Sequence, residues 1–296
     1  MFSELYQNVV LKKPKVIFLI LIAALLSFGY FSKDFKLDAS SDTLLIEGDP
    51  DLKYLREITE RYGAKDFLVL TFTPKEPITS ENSINNLLSL KYKIQSLDWV
   101  HSVITLLDVP LLNNSDKSLQ ERLNNLITLK DENVDKERGF KEILDSPVFR
   151  NFVISEDGNT TGIIVNIKKD DILKKLKNKK EIEKYKDNLK KKNHQNILEI
   201  RKIIKTYSGE SKIYLGGIPM IADDMMTFIK NDIVVFGVGV LLFIIATLWF
   251  VFRKLIWIIV PISSCFFSVL IMTGLLGLLG WKVTVISSNF IALMLI

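Results

Sequence analysis

Few residues of this chain have the types and spacing that a chemical site requires. His101 and His194 are far apart, and neither has cysteine or carboxylate neighbours at the spacing of a metal site. Gly274, Gly277 and Lys282 resemble a phosphate-binding loop only superficially, because the Gly-Lys-Ser/Thr adjacency of that motif is missing. We therefore expect no metal, no cofactor and no enzymatic activity.

Polar residues next to apolar runs are the remaining candidates for chemistry. Asp223 and Asp224 precede an apolar run, where they could guide a cation or a proton, although acidic residues at the start of a helix commonly have no such role. Asn289 is the most polar residue of the last apolar run, and it could line a pathway, contact another helix or simply pack. The sequence leaves both interpretations open for each of these residues.

Gly274 and Gly277 have a more specific interpretation than a phosphate loop. They share an apolar run with Ser264 and Ser268, and small side chains allow neighbouring membrane helices to approach closely. The alternative is that both glycines face lipid and have no role. We predict that they pack one helix against another.

Apolar runs near both ends of the chain predict membrane spans. A helix needs about twenty apolar residues to cross roughly 30 Å of hydrocarbon, and residues 16–32, 232–252 and 255–279 meet or approach that length. Residues 283–296 start a fourth run that would cover only about 21 Å, so we expect a longer protein whose fourth span is truncated here. The alternatives are a cleaved signal peptide for the first run and an interfacial helix for the last.

Basic residues in short segments predict the orientation of these spans. Residues 1–15 contain three lysines directly before the first run, and Arg253 and Lys254 separate the second run from the third. Lys282 is the only basic residue in the short turn on the other side. The excess of positive charge therefore predicts a cytoplasmic N-terminal segment and an extracytoplasmic domain over 33–231. We expect the chain to lie in the inner (plasma) membrane.

The outer domain begins with a strand–helix–strand pattern. Residues 67–73 are almost wholly apolar and β-prone, which predicts a strand buried on both faces. Thr79 or Ser80 can cap the helix that follows, and residues 99–107 predict the second strand.

The second half of the outer domain repeats this pattern. Residues 149–154 and 161–167 predict a hairpin, residues 181–207 a long basic helix, and residues 212–215 a short strand. Two such units predict a ferredoxin-like, or split βαβ, layer of helices on an antiparallel sheet. The fold class is therefore an α+β membrane protein that joins a transmembrane helix bundle to this domain.

The link between the outer domain and the second span contains Gly216, Gly217 and Pro219. Pro219 suits the first turn of a helix, so the sequence favours one helix that continues into the span. A flexible hinge at the two glycines is equally compatible.

Positive charge is concentrated in residues 168–192, which are rich in lysine. The chain has a net charge of +5, but the position of this excess in the outer domain argues against nucleic acid as a partner. The segment is either a solvated helix face or a site for an anionic lipid head group or polymer. Cys265 is the only cysteine, which excludes a disulfide within the chain.

The order of these features resembles the first half of an RND (resistance-nodulation-division) superfamily transporter, most closely the MMPL-like exporters related to Patched and sterol-sensing proteins. The matching residues are Asp42, Asp49-Pro50, Arg61-Tyr62-Gly63, Gly217-Ile218-Pro219 and Asn289-Phe290-Ile291-Ala292-Leu293. The resemblance covers nearly the whole chain through the order and spacing of these motifs.

This resemblance implies proton-motive-force-driven efflux of hydrophobic or lipid-like molecules, with the outer domain as the porter. The implied partners are the lipid bilayer, the hydrophobic substrate, a periplasmic protein and the missing C-terminal half. The family's proton-carrying acidic residues lie in the fourth span and would fall after Ile296. A non-transporting receptor, or an accessory subunit for assembly or protein export with the same architecture, is the alternative function.

Overall fold

The chain folds as a mixture of helices and sheets that divides into two units. One unit comprises Met1–Asp49 and Asp224–Ile296, and the other comprises Pro50–Asp223. The second unit is shorter at both ends than the predicted domain 33–231. The computed structural model describes residues 13–38, 49–62, 66–112, 126–131, 134–170, 172, 176–284, 287 and 294.

The described residues contain seven helices and eight strands, apart from two single turns of 3₁₀-helix. In chain order they are α1 (Pro14–Phe31), β1 (Lys36–Asp38), α2 (Pro50–Tyr62), β2 (Phe67–Pro74), α3 (Glu81–Gln95), β3 (Val100–Ile104), β4 (Pro110–Leu111), β5 (Ile127–Thr128), α4 (Lys136–Asp145), β6 (Thr161–Ile167), α5 (Lys179–Thr206), β7 (Ser211–Gly216), α6 (Ile218–Phe252), α7 (Ile256–Leu279) and β8 (Lys282–Thr284).

Three helices in the described part of the chain are long and apolar enough to cross a membrane. They are Pro14–Asp34, Ile218–Phe252 and Ile256–Leu279, with mean hydropathies of 2.1, 2.8 and 2.2. The predicted runs 16–32, 232–252 and 255–279 lie in these helices to within one residue. Length and composition therefore support a multi-pass membrane protein.

A short parallel pair of strands joins the segments that follow α1 and α7. Lys36 lies opposite Lys282, and Leu37 lies opposite Val283. The start of the predicted fourth span is therefore wrong, because Lys282–Thr284 is a strand rather than the first turn of a helix. Most of the remaining residues of 283–296, including Asn289, lie outside the described residues.

The Pro50–Asp223 unit is built on a four-stranded sheet in the order β3-β6-β2-β7. Every neighbouring pair in this sheet is antiparallel. The other described strands of the unit, β4 and β5, form a separate two-stranded ribbon. The sheet brings together strands from both predicted strand–helix–strand segments.

One face of the sheet carries the hydrophobic core. Leu68, Leu70 and Phe72 of β2 are almost completely buried, whereas Phe67 on the alternate face is 47% exposed. The prediction of a strand buried on both faces is therefore wrong. The helices α3 and α5 supply core residues on the covered face: Ile84, Leu87, Leu90, Ile94, Ile197 and Ile200.

The sequence predicted the helices more accurately than the ends of the strands. Ser80 caps α3, because its hydroxyl oxygen accepts a hydrogen bond from the Ser83 backbone N–H at 3.2 Å. The predicted helix 181–207 and strand 212–215 are confirmed as α5 and β7. The first strand of the predicted hairpin is wrong, since residues 149–153 are mostly hydrogen-bonded turns and Ile154 alone forms an antiparallel bridge, to Thr161.

Gly217 makes the sharp turn between β7 and α6. Its φ angle of 119° lies in a region that side chains rarely adopt, and a Cβ atom there would lie 2.9 Å from the Phe67 carbonyl oxygen. The helix then runs from Ile218 to Phe252 without a break. The predicted helix that continues into the span is therefore present from Ile218 to Phe252, and the alternative of a hinge at Gly216 and Gly217 stays a prediction.

Candidate functional site

Gly274 of α7 lies against the backbone of α1. A Cβ atom on Gly274 would lie 2.1 Å from the carbonyl oxygen of Phe28 and 2.7 Å from its Cα atom. Real Cβ atoms do not approach a backbone so closely. The absence of a side chain at Gly274 is therefore what permits this contact between the two helices.

Gly277 repeats this contact one turn further along α7. A Cβ atom on Gly277 would lie 2.1 Å from the carbonyl oxygen of Phe31. Gly29 contributes a small residue from α1, since its Cβ position would lie 3.3 Å from a methyl group of Leu270. At this separation, glycine Cα–H groups can contact carbonyl oxygens directly, a weak attraction that membrane helices use.

Asp223 contacts a histidine that the sequence did not connect with it. The Nδ1 atom of His194 lies 2.9 Å from Oδ1 and 3.0 Å from Oδ2 of Asp223. The Asp223 side chain is 9% exposed, whereas the His194 side chain is 45% exposed. The carboxylate is therefore largely buried, and the histidine is the more exposed partner of the contact.

A second hydrogen bond accompanies the histidine–aspartate contact. The Nδ2 atom of Asn193 donates to the Pro219 carbonyl oxygen at 2.9 Å. Neighbouring residues of α5 thus hold both the backbone and a side chain of the first two turns of α6. Asp224 is partly buried.

Asp108 is the centre of the strongest charge cluster described in the Pro50–Asp223 unit. Its carboxylate lies 2.5 Å from Nζ of Lys91 and 2.8 Å from Nζ of Lys130, and it accepts a hydrogen bond from the Thr105 backbone N–H. Burial raises the pKa of Asp108, but hydrogen bonds from Lys130, Lys91 and Thr105 outweigh burial and lower the pKa from 3.8 to about 2. The cluster gives Lys91, which is 7% exposed, a counter-charge.

A known protein family matches a large part of the chain. A model of the MMPL family matches residues 109–296, which is more than half of the sequence. The matched region includes β6, α5, β7 and the helices α6 and α7. The chain belongs to the MMPL family. The predicted resemblance to an MMPL/RND-type transporter is thereby confirmed, and no curated protein matches this MMPL family member.

Membership of the MMPL family is relevant to whether an enzymatic activity is expected. Members of this family are transporters rather than enzymes. Within the described residues, no group of three or more His, Cys, Asp or Glu side chains could hold a metal ion. His101 is exposed in β3.

A transport cavity in an MMPL protein would have to admit a whole substrate. A cavity of about 10 Å³ lies between α3, α4 and the Leu106–Asp108 turn, and it is lined mostly by apolar side chains such as Ile78, Leu107 and Phe140. This volume suits at most a single water molecule. The cavity is therefore a packing gap in the Pro50–Asp223 unit rather than a substrate site.

Proposed function

We propose that this chain is the N-terminal part of a proton-motive-force-driven exporter of hydrophobic or lipid-like molecules. The observation that carries the proposal is the MMPL family match over residues 109–296, which includes two of the three candidate spans. In this proposal the protein lies in the inner (plasma) membrane with a cytoplasmic N-terminus, and the Pro50–Asp223 unit is the extracytoplasmic porter domain.

The sheet order supports a ferredoxin-like porter domain. The strands β2 and β3, joined by α3, form one strand–helix–strand unit, and β6 and β7, joined through α5, form the other. Each unit has one strand of the other unit between its own two strands, which is the arrangement of a split βαβ fold.

The helix α6 supports mechanical coupling between the porter domain and the membrane. Its first turn follows β7 directly, and the same helix contains the apolar run 232–252. Because a helix transmits rotation and translation along its length, a rearrangement in the membrane would reach the sheet through Gly217 and Pro219. Asp223 and Asp224, near the start of this helix, are proposed to guide protons or cations, and Asn289 to line the pathway.

The contact between α1 and α7 supports a helix-packing role for Gly274 and Gly277. Transport by alternating access needs helices that move as packed groups, and backbone contact at the two glycines would hold α1 and α7 in one group. The helices α1 and α7 would therefore move as one rigid element of the transport cycle.

An export assay with the complete coding region tests the proposed function. The gene, including any sequence that follows Ile296, would be expressed in cells that lack their own major efflux pumps, and the loss of a lipophilic fluorescent dye would be followed. We expect dye export that a protonophore abolishes. Export that survives the protonophore would contradict proton coupling, and unchanged dye retention would favour the receptor or accessory function.

Matched glycine variants connect the assay to this structure. Gly274→Leu inserts a side chain where α1 and α7 touch, so we expect export to fall at least tenfold. Gly239→Ala in α6 adds a Cβ atom that meets nothing within 4 Å, so export should be retained. Equal export by both variants would show that the α1–α7 contact is not part of the transport cycle.

A further inference from the structure

The charge of the chain is concentrated in one segment beyond what solubility requires. Residues 168–192 contain twelve lysines and five carboxylates, a formal charge of +7, whereas the whole chain carries +5. The remainder of the chain is therefore slightly acidic, at −2. A domain that needed only solubility would intersperse both signs over its surface.

The helix α5 has two parts with different surroundings. Its C-terminal part belongs to the core, where Ile197 and Ile200 are fully buried. Its N-terminal part, residues 179–192, contributes nothing to the buried core described for the chain. There, a stripe formed by Ile182, Tyr185 and Leu189 is half-buried, and the lysines around it are exposed.

The exposed lysines repel one another on this helix. Lys186 and Lys190 are four residues apart and face the same side, and Lys190 is followed by Lys191 and Lys192. Like charges at this spacing destabilise a helix, and Glu183 and Asp187 are the only acidic residues between Lys179 and Lys192 besides Glu181, so lysines remain in excess on this part of α5.

The lysine-rich part of α5 ends directly before the residues that contact α6. His194 contacts Asp223, and Asp223 lies ten residues, or about 15 Å of helix, before Ile233, where the apolar run of α6 begins. Lys184 lies the same ten residues before His194 along α5. Lys184 and the start of the apolar run are therefore each ten residues along the chain from the His194–Asp223 contact.

We propose that the N-terminal half of α5, through Lys184, Lys186, Lys190 and Lys191, binds the anionic head groups of the membrane surface. Such a contact would hold the outer domain against the bilayer from which a lipid-like molecule is taken. Juxtamembrane lysines gain about 1 kcal/mol each near an anionic leaflet, a factor of about five in affinity per lysine, and this gain is screened by salt. The inference does not depend on whether the protein transports.

The test uses the full chain in lipid nanodiscs. In a Cys265→Ser background, Asn188→Cys places a fluorophore among the lysines, and lipids with a quencher on the head group report its distance from the surface. We expect at least twofold stronger quenching with 30% phosphatidylglycerol than with phosphatidylcholine alone, and loss of the difference in 0.5 M NaCl. Equal quenching in the two lipids, or no effect of salt, would overturn the proposal.

Two sets of substitutions distinguish an effect of this segment from an effect of the net charge of the protein. The variant K184Q/K186Q/K190Q/K191Q should quench as weakly with phosphatidylglycerol as with phosphatidylcholine. The control K75Q/K141Q/K202Q/K205Q removes four other exposed lysines and should behave like the parent. An equal loss of quenching in both variants would show that net charge alone causes the effect, and this would overturn the proposal.

The single variants Lys186→Gln and Lys190→Gln guard against misfolding of the fourfold variant, since each removes a repulsion and should not lower the melting temperature. Each should weaken the quenching part of the way, and unchanged quenching in both would contradict the proposal. If polyphosphate but neither lipid mixture altered the parent's fluorescence, the segment would bind a soluble polyanion and the lipid proposal would fail.

Discussion

The Nδ1 atom of His194 faces both carboxylate oxygens of Asp223, at 2.9 and 3.0 Å, and so joins α5 to the second turn of α6. The two residues are 29 positions apart, and between them the chain passes through β7 and the Gly217 turn. This contact is therefore a tertiary attachment of the long helix at the point where it leaves the sheet.

Removal of the carboxylate should loosen this attachment. We expect Asp223→Ala to increase hydrogen–deuterium exchange in residues 190–196 and 218–224, with a local cost of about 1–2 kcal/mol, because a charge-assisted hydrogen bond is lost and the Asp223 position is largely enclosed. The measurement is exchange mass spectrometry of the full chain in detergent. His101→Ala removes the other histidine from an exposed strand position and should change exchange in neither segment.

The glycine contact between α1 and α7 should not tolerate a methyl group. Gly274→Ala or Gly277→Ala places a Cβ atom about 2.1 Å from a carbonyl oxygen, so the helices must separate, with an expected cost of about 1–3 kcal/mol. Thermal unfolding in detergent measures the change. Gly239→Ala, where the added atom meets nothing, should be neutral or slightly stabilising. A melting temperature for Gly274→Ala at or above that of the parent would contradict the contact.

Asp108 should make the Pro50–Asp223 unit sensitive to acid. Its pKa is about 2 in the folded protein and near 3.8 when unfolded, so the carboxylate stabilises the fold above pH 4 and loses that effect as the pH falls from 4 to 2. Allowing for solvent screening, we expect a loss of about 1 kcal/mol over this interval. The check is the dependence of chemical unfolding on pH.

The variant Asp108→Asn isolates this carboxylate from the other acidic groups. It should be less stable than the parent at pH 7 by about 1–3 kcal/mol, because it leaves the buried ammonium of Lys91 without its counter-charge. It should also lose the part of the acid response that Asp108 contributes. An unchanged slope between pH 4 and 2 in this variant would assign the acid sensitivity elsewhere.

Gly217 should be the least replaceable glycine of the Pro50–Asp223 unit among those described. Gly217→Ala must accept both a φ angle of 119° and a Cβ atom 2.9 Å from the Phe67 carbonyl oxygen, so we expect a loss of about 2–3 kcal/mol in the free energy of unfolding. Gly209→Ala lies in a turn with open space around it and serves as the control. Similar unfolding curves for the two variants would contradict the strain at Gly217.

The sequence predicted those parts of the fold that depend on interactions between residues close together in the chain. Ser80 caps α3 with its own hydroxyl group, and the apolar spacing of α5 produces the buried face at Ile197 and Ile200. The early end of β3 also had a local cause that was overlooked. Thr105 and Asp108 form a capping box, which starts a 3₁₀ turn where the sequence predicted more strand.

Other features depend on contacts that the sequence does not reveal. The spacing of Gly274 and Gly277 indicates close approach to a helix, but nothing in the sequence names α1 as that helix. The contact of His194 with Asp223 and the pairing of Lys36 with Lys282 join segments whose separation carries no periodic signal. The turns at 149–153 include Asn151 with a φ of 66°, a conformation that the β-prone composition of this segment does not predict.

The contact of Phe28 with Gly274 has a consequence for the synthesis of the protein on the ribosome. The two residues are 246 positions apart, and at about 5–20 residues per second their synthesis is separated by roughly 12–50 s. During that interval the Phe28 surface of α1 exists without the helix that later covers it. A chaperone, an insertase or lipid must occupy that surface meanwhile, so crosslinking of Phe28 in stalled nascent chains should reveal a temporary neighbour that disappears once α7 has emerged.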